Sequence, residues 1–177
     1  QVDQATARFG LGLATTDVNG DGYDDVLVGA DLWDGVEVDE GGAWLYLGGA
    51  GGPATTPAWQ SESGQGGAEY GFAVAGGGDL DGDGYEDLLV GAYSWDGPEA
   101  DEGAVFVYGG VGGLSVQADL RMESDMADSA LGFSVASAGD VDGDGYDDII
   151  VGAVSYDGGQ TDEGAAFVYL GGSAGLY

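Results

Sequence analysis

The sequence predicts an all-β fold made of three copies of one unit, and three observations support this prediction. Acidic nine-residue segments recur in phase: Asp79 follows Asp17 by 62 residues, and Asp140 follows Asp79 by 61. The apolar runs are short, rich in β-branched or aromatic residues, and bounded by glycine and aspartate, which is typical of strands. No stretch of ten or more residues has the apolar period of a helix.

Each repeat contains about four predicted strands. In the middle of the chain they precede the acidic segment (71–75), follow it (87–92) and carry aromatic residues (104–108), with a variable outer strand at 59–62 or 120–123. Four antiparallel strands in each repeat of about 40–60 residues are typical of a β-propeller blade. We therefore expect one propeller region, 1–177, made of three four-stranded antiparallel blades, with approximate repeats 1–58, 59–119 and 120–177.

Composition narrows the range of functions. The chain has 33 acidic residues against 2 basic ones, a formal net charge of -31, and 44% hydrophobic residues, which indicates a folded acidic protein rather than a disordered tail. Its charge disfavours nucleic acid and anionic membrane surfaces as partners, and no apolar run predicts membrane insertion. The chain contains no histidine or cysteine, so Ser-His-Asp and Cys-His catalysis are excluded, and no enzyme activity is expected.

The acidic segments have the pattern of calcium loops. Calcium binds six to eight hard oxygen ligands, and Asp17, Asn19 and Asp21 supply short oxygen donors at alternate positions. Gly22, at the sixth position, permits a sharp turn. The ninth residue adds the last carboxylate, and the seventh adds a backbone carbonyl. The predicted ligands of three Ca²⁺ ions are Asp17, Asn19, Asp21, Tyr23 and Asp25; Asp79, Asp81, Asp83, Tyr85 and Asp87; and Asp140, Asp142, Asp144, Tyr146 and Asp148.

Other loop types fit these segments less well. An EF-hand needs a glutamate at position 12 and flanking helices, but Val28, Val90 and Val151 stand there. The segments could instead be simple hairpin turns, although three copies in register favour metal loops. The neighbouring acids Asp24, Glu86 and Asp147 should point away from the ninth-position carboxylate, and we interpret them as solvated or as supporting groups rather than as ligands.

A family resemblance rests on three elements of each repeat. A Phe-Gly-like start (Phe9-Gly10, Tyr70-Gly71, Leu131-Gly132) precedes the acidic loop, and a Val-Gly-Ala ending follows it. In these features the chain resembles the FG-GAP repeat, which builds the β-propeller of integrin α-subunits and of many secreted bacterial proteins. The third signature position, usually proline, is here Asp31, Tyr93 or Val154, a departure that concerns turn geometry and leaves the proposed ligands intact.

The resemblance implies an extracellular or cell-surface location and a binding role. The leading hypothesis is a module for protein–protein interaction or adhesion with a protein or glycan ligand, in which calcium is structural. A purely structural spacer in a larger surface protein is the alternative, and an accessory module of a secreted hydrolase is a third. The recurring triplets that begin at Trp33, Trp95 and Tyr156 suit either a ligand-facing rim or packing between blades, and packing is favoured.

Three blades do not close a propeller, since propellers have four to eight blades and FG-GAP propellers typically have seven. Either the chain is part of a longer array, or a homodimer completes a six-bladed ring, which we predict. The segment from Gln1 to Ala7 is predicted to be an outer strand, which could complete the last blade of a neighbouring chain.

Overall fold

The computed structural model describes residues 3–110 and 117–176, and all regular secondary structure in them is β. Membrane-spanning helices are absent from these two described ranges. The strands are β1 (Leu13–Thr16), β2 (Asp25–Ala30), β3 (Gly42–Tyr46), β4 (Trp59–Glu62), β5 (Ala73–Gly78), β6 (Asp87–Ala92), β7 (Ala104–Tyr108), β8 (Leu120–Glu123), β9 (Leu131–Gly139), β10 (Asp148–Ala153) and β11 (Ala165–Tyr169).

The strands form three antiparallel sheets. Their strand orders are β1-β2-β3-β4, β5-β6-β7-β8 and β11-β10-β9, which confirms the all-β, blade-like architecture. β4, β6, β7 and β8 have the predicted bounds. β5 begins at Ala73 instead of Gly71, because Gly71 has a φ of +86° and lies against Gly42 of the preceding sheet, although its amide still donates to the Gly91 carbonyl of β6 at 3.0 Å.

The third sheet differs from the prediction of three four-stranded blades, because it has only three strands among the described residues. The predicted outer strand at Gln1 to Ala7 is also wrong for residues 3–7, which lie in no strand. Gln4 explains why: its amide donates to the Asp34 carbonyl at 3.0 Å, as Gln65 donates to Asp96 at 2.8 Å. Residues 3–7 thus match the connection that follows an outer strand. Gln1 and Val2 lie outside the described residues.

Sheet boundaries do not coincide with the approximate repeat boundaries at 58/59 and 119/120. The outer strand β4 pairs with β3, and β8 pairs with β7. The first sheet therefore runs from Leu13 to Glu62 and the second from Ala73 to Glu123. The reason is that each outer strand follows its own aromatic strand through a connection, and pairs with it antiparallel.

The hydrophobic core lies between successive sheets. One cluster joins Leu27 and Leu45 of the first sheet to Leu88 and Phe106 of the second. A second cluster joins Leu89 of the second sheet to the third sheet. Burial of each such side chain contributes about 1.5–3 kcal/mol, so each sheet depends on its neighbour for stability.

The backbones of successive sheets come into direct contact at paired glycines. A Cβ atom at Gly29 would overlap the carbonyl of Gly71, and one at Gly91 would overlap the carbonyl of Gly132. Tyr70 and Leu131, just before the second glycine of each pair, are fully buried against the preceding sheet. The Phe-Gly-like and Val-Gly-Ala elements of the repeat are therefore two sides of one contact between sheets.

Candidate metal centres

The three acidic loops connect the first two strands of each sheet. The glycine at the sixth position (Gly22, Gly84 and Gly145) has a φ of 85°, 93° and 97° in the three loops. A residue with a side chain would be strained there. Nothing lies within 4 Å of a Cβ built at any of the three, so glycine is needed for the backbone turn and not for space.

The first aspartate of each loop folds the loop around its own carboxylate. In the second loop, Asp79 accepts hydrogen bonds from the amides of Gly82 at 2.8 Å and Gly84 at 3.0 Å. Asp83 and Tyr85 donate their amides to the carboxylates two residues earlier, at 3.1 and 3.0 Å. These bonds hold several carboxylates on the inside of one turn.

The first and third loops repeat this pattern. Asp17 accepts the amides of Asp21 and Gly22, and Asn19 accepts the amide of Asp21. Asp140 accepts the amide of Gly145 at 3.0 Å. The third-position side chain therefore accepts the same backbone amide in all three loops, through an amide oxygen of Asn19 in the first loop and a carboxylate oxygen of Asp81 or Asp142 in the others.

The ninth-position aspartates are buried at the base of the loops. Asp25, Asp87 and Asp148 are 0%, 3% and 0% exposed. Asp87 accepts hydrogen bonds from the amides of Leu80 and Gly110, both at 2.8 Å. Asp25 and Asp148 accept the amides at the same two repeat positions of their own sheets. Each of these carboxylates thus fastens the start of its loop to the end of the third strand.

Carboxylate oxygens converge as a hard cation requires. One oxygen each of Asp79, Asp81 and Asp83 lie within 4.8 Å of one another. The same limit holds for Asp140, Asp142 and Asp148. These two all-oxygen sets fit calcium. The aspartates of the first loop do not form such a group of three among the described residues, and Asp87 and Asp144 lie outside the groups of their own loops. The role of the backbone carbonyls of Tyr23, Tyr85 and Tyr146 stays a prediction.

Burial perturbs the ninth-position carboxyl most in the second loop. Burial raises the pKa of Asp87 to about 6. Hydrogen bonds from the amides of Gly110 and Leu80 lower this pKa, whereas the negative charges of Asp81 and Asp83 raise it further. Burial also raises the pKa of Asp25. Without a cation, the ionised forms of Asp87 and Asp25 are therefore less favourable than that of an exposed aspartate.

The acids beside the ninth position have a role that the sequence did not reveal. Glu86 accepts hydrogen bonds from the Thr16 hydroxyl at 2.6 Å and the Asp17 amide at 3.1 Å. Asp147 accepts the Asp79 amide at 2.9 Å, and its own amide donates to the Asp79 carbonyl. These side chains point away from their own loops, as predicted, and each reaches the first ligand position of the preceding loop. Alternation indicated their direction, but no sequence signal named this partner.

Tyrosine rings add a second contact between loops. A Cβ atom built at Gly20 would lie 3.2 Å from the Tyr85 ring of the second loop. One built at Gly82 would lie 2.5 Å from the Tyr146 ring of the third loop. The first and second loops are thus each covered by the tyrosine of the next loop, whereas a Cβ at Gly143 of the third loop would meet nothing within 4 Å. The three candidate centres form one continuous row across the sheets.

The aromatic residues of the triplets serve packing, but their ring contacts lie within one sheet and not between blades, the arrangement that the sequence had favoured. Trp33 packs edge-on against Trp44 and Trp95 against Phe106, with ring centroids 5.5 and 5.3 Å apart. Trp44 and Phe106 are only 5% and 8% exposed. Trp44 and Phe106 therefore belong to the interior, and the half-buried Trp33 and Trp95 pack on them instead of forming an open aromatic platform.

Comparison with known proteins agrees with the geometry. A family model described as "FG-GAP repeat" matches residues 9–46, 70–108 and 131–169. The chain is 37% identical over 165 residues to integrin alpha-PS2 of Drosophila melanogaster, covering 84% of this chain and 12% of that protein. It is 35% identical over 168 residues to integrin alpha-5 of Xenopus laevis (88% and 15%) and 39% identical over 159 residues to integrin alpha-IIb of Homo sapiens (85% and 15%). It therefore spans a small part of the length of these relatives.

Proposed function

This chain belongs to the FG-GAP repeat family, and from that premise we propose that it is a calcium-stabilised propeller module that binds a protein or glycan ligand outside the cell. The observation that carries the proposal is the row of three acidic loops joined from sheet to sheet. Integrin α-chains are the relatives found, and adhesion is the activity that this resemblance suggests. Catalysis forms no part of the proposal.

Calcium has a structural role in this proposal. Three ions, one for each loop, neutralise carboxylates that otherwise repel each other in a chain of net charge -31. Because Glu86 and Asp147 hold the first ligand residue of the preceding loop, an ordered loop also orders the contact between sheets. Extracellular modules of this kind bind calcium at about 10⁻⁴–10⁻³ M, which suits an extracellular location.

We assign the surface that binds the protein or glycan to the end of the sheets opposite the calcium loops. Antiparallel order places the β2–β3 connection at the end away from the first calcium loop. Val36 and Val38 in that connection are 88% and 69% exposed. The equivalent positions of the second repeat hold Pro98 and Ala100. Exposed valines that interrupt the repeat symmetry are suited to contact a protein partner.

A binding experiment tests this assignment. The immobilised chain is probed with a panel of extracellular-matrix proteins and glycans, in calcium and in chelator. We expect calcium-dependent binding of a panel member, weakened about tenfold or more, or about 1.4 kcal/mol, by the double change Val36→Ser and Val38→Ser. Val141→Ser is the control, since Val141 is 57% exposed in the third calcium loop. Absence of binding throughout the panel would favour the spacer role instead.

Completion of the ring by a second copy is also proposed. Leu27 and Leu89 are 0% exposed because the following sheet covers them, whereas Ile150, at the same position of the third sheet, is 39% exposed. Val168 is likewise 51% exposed, against 6% for Val107. The third sheet thus presents a face shaped to pack against another blade. A second copy could cover it and give six blades.

Mass in solution tests the homodimer. We expect the dimer mass in calcium by sedimentation or light scattering, and a shift towards monomer when Ile150 and Val168 are both changed to serine. The same double change at the exposed Val36 and Val38 should leave the mass unaltered. A monomer at every concentration of the unchanged chain would rule out completion by self-association.

A further inference from the structure

A second group of carboxylates lies in the second sheet, away from the calcium loops. One oxygen each of Glu102, Glu123 and Asp125 lie within 4.8 Å of one another. Glu102 ends the connection between β6 and β7, Glu123 ends β8, and Asp125 follows it. Since neighbouring strands are antiparallel, this group is at the opposite end of the sheet from the loop that contains Asp79.

Glu102 has an unusual environment for a carboxylate. It is 0% exposed, and neither of its side-chain oxygens accepts a hydrogen bond of good geometry from the described residues, although the amides of Glu99 and Asp125 are near. Burial and then Glu123 raise its pKa, and the nearby amides of Glu99 and Asp125 offset this only in part. Buried carboxylates are normally hydrogen-bonded, paired with a cation or bound to a metal, because an isolated buried charge is costly.

Glu123 is oriented so that one oxygen remains available. Its Oε1 accepts the indole N–H of Trp95 at 3.2 Å and pairs with Arg121 Nε at 2.6 Å. Its Oε2 lies 3.0 Å from the position of a Cβ built at Gly97, and that Cβ would overlap Oε1 of Glu102. Glycine at 97 thus leaves the space in which the two carboxylates meet. Three carboxylates and the Arg121 guanidinium leave two net negative charges, which match a divalent cation.

The first sheet supplies a natural comparison. Glu40 and Glu62 occupy the positions of Glu102 and Glu123, and Trp33 donates to Glu62 at 3.3 Å. Glu40 Oε1 accepts the amides of Val36 and Glu37, leaving only Oε2 without a partner. Gly64 stands where the second sheet has Asp125. The first sheet therefore has the glutamate pair without the third carboxylate.

We propose that Glu102, Glu123 and Asp125 bind one hard divalent cation, of the Ca²⁺ or Mn²⁺ type, separate from the three loop ions. All its side-chain ligands are carboxylate oxygens, which such cations prefer. The ion would fasten the β6–β7 connection to the end of β8. The competing arrangement is a protonated Glu102 that donates to Glu123, with no metal.

Counting ions for each chain tests the proposal. Native mass spectrometry of the whole chain in calcium is compared for the unchanged protein, Glu102→Gln and Asp125→Gly. Asp125 is exposed and has a φ of 55°, so glycine suits its backbone and reproduces the first sheet. We expect each variant to bind one ion fewer than the unchanged chain, whatever number the loops contribute. Equal counts in all three proteins would overturn the proposal in favour of the shared proton.

Two further measurements separate this site from the loops. Terbium in place of calcium should show emission sensitised by Trp95 that is lost in Asp125→Gly and kept in Asp83→Ala, which alters a loop only. Gly64→Asp should add one ion in the first sheet, where a Cβ at 64 meets nothing within 4 Å. Unchanged tryptophan-sensitised emission in Asp125→Gly, or no added ion in Gly64→Asp, would contradict the three-carboxylate site.

Discussion

Replacing Gly91 by alanine is expected to destabilise the chain by about 3 kcal/mol, the upper end of the range for overpacked interiors. The added Cβ would overlap the backbone carbonyl of Gly132, which belongs to the next sheet. Backbone held by a sheet cannot rotate away as a side chain can. The overlap can be relieved only by moving the second and third sheets apart, which would open the core around Leu89 and Ile149. Denaturant unfolding in excess calcium measures the effect.

Gly152→Ala is the matched control for this substitution. Gly152 has the same repeat position in the third sheet, but the nearest atom to its Cβ position is the Ser134 hydroxyl, which can change rotamer. With both glycine variants made in the chain kept monomeric by Ile150→Ser and Val168→Ser, we expect a loss of no more than about 1 kcal/mol for Gly152→Ala, since only a side chain must move. Equal stabilities of the two variants would show that the glycine contact does not hold the sheets together.

Asp87→Ala should both remove one calcium ion and lower the stability of the metal-free chain by about 2–6 kcal/mol. Asp87 is 3% exposed and accepts the amides of Leu80 and Gly110. Alanine would leave two buried amides without a partner, each costing about 1–3 kcal/mol. Calcium titration by calorimetry gives the number of sites, and unfolding in chelator gives the stability.

Two substitutions in the same loop separate the metal role from the hydrogen-bonding role. Asp83→Ala should also remove one ion, but it should change the metal-free stability by less than about 0.5 kcal/mol, because Asp83 is exposed and the one amide that it accepts, that of Tyr85, lies in an exposed hydrogen bond. Asp81→Asn reproduces Asn19 of the first loop and should keep the ion. If Asp83→Ala bound as many ions as the unchanged chain, the proposed ligand set of this loop would be wrong.

Strand positions were predictable wherever local chemistry decides them. Asp87–Ala92 and Ala104–Tyr108 are short apolar runs with glycine or acidic turns beside them, and both have their predicted bounds. The start of β5 was not predictable, because Gly71 faces Gly42 of another sheet, a contact that depends on how sheets stack. The third sheet lacks a fourth strand among the described residues for a related reason, since each outer strand pairs with the aromatic strand before it in the chain.

The loops were predictable as units, but their connections were not. The alternate spacing of Asp79, Asp81 and Asp83 predicted that their carboxylates lie close together, and in the structure they do. Alternation gave the direction of Glu86, but only the stacked sheets bring it to the Asp17 amide. The buried group at Glu102 was missed for the same reason: Glu102 and Asp125 are distant in sequence, and pairing of β7 with β8 brings them close.

The pH dependence of the metal-free chain follows from the raised pKa of Asp87. Its folded pKa of about 6 exceeds the ordinary value of 3.8, so protons bind the folded state more tightly than the unfolded state. The resulting stabilisation is complete below the unfolded pKa and is lost as pH rises through about 6. The raised pKa of Asp25 acts in the same direction. Calcium needs these groups ionised, so its stabilising effect should be largest at neutral pH and decline on acidification.

Thermal unfolding at pH 7 and pH 4, with calcium and with chelator at matched ionic strength, tests most directly the claim that calcium stabilises the stacked blades. At pH 7 the melting temperature should rise steadily with calcium concentration. In chelator it should be higher at pH 4 than at pH 7, and calcium should add little at pH 4. A melting temperature at pH 7 that is the same in millimolar calcium and in chelator would contradict the account.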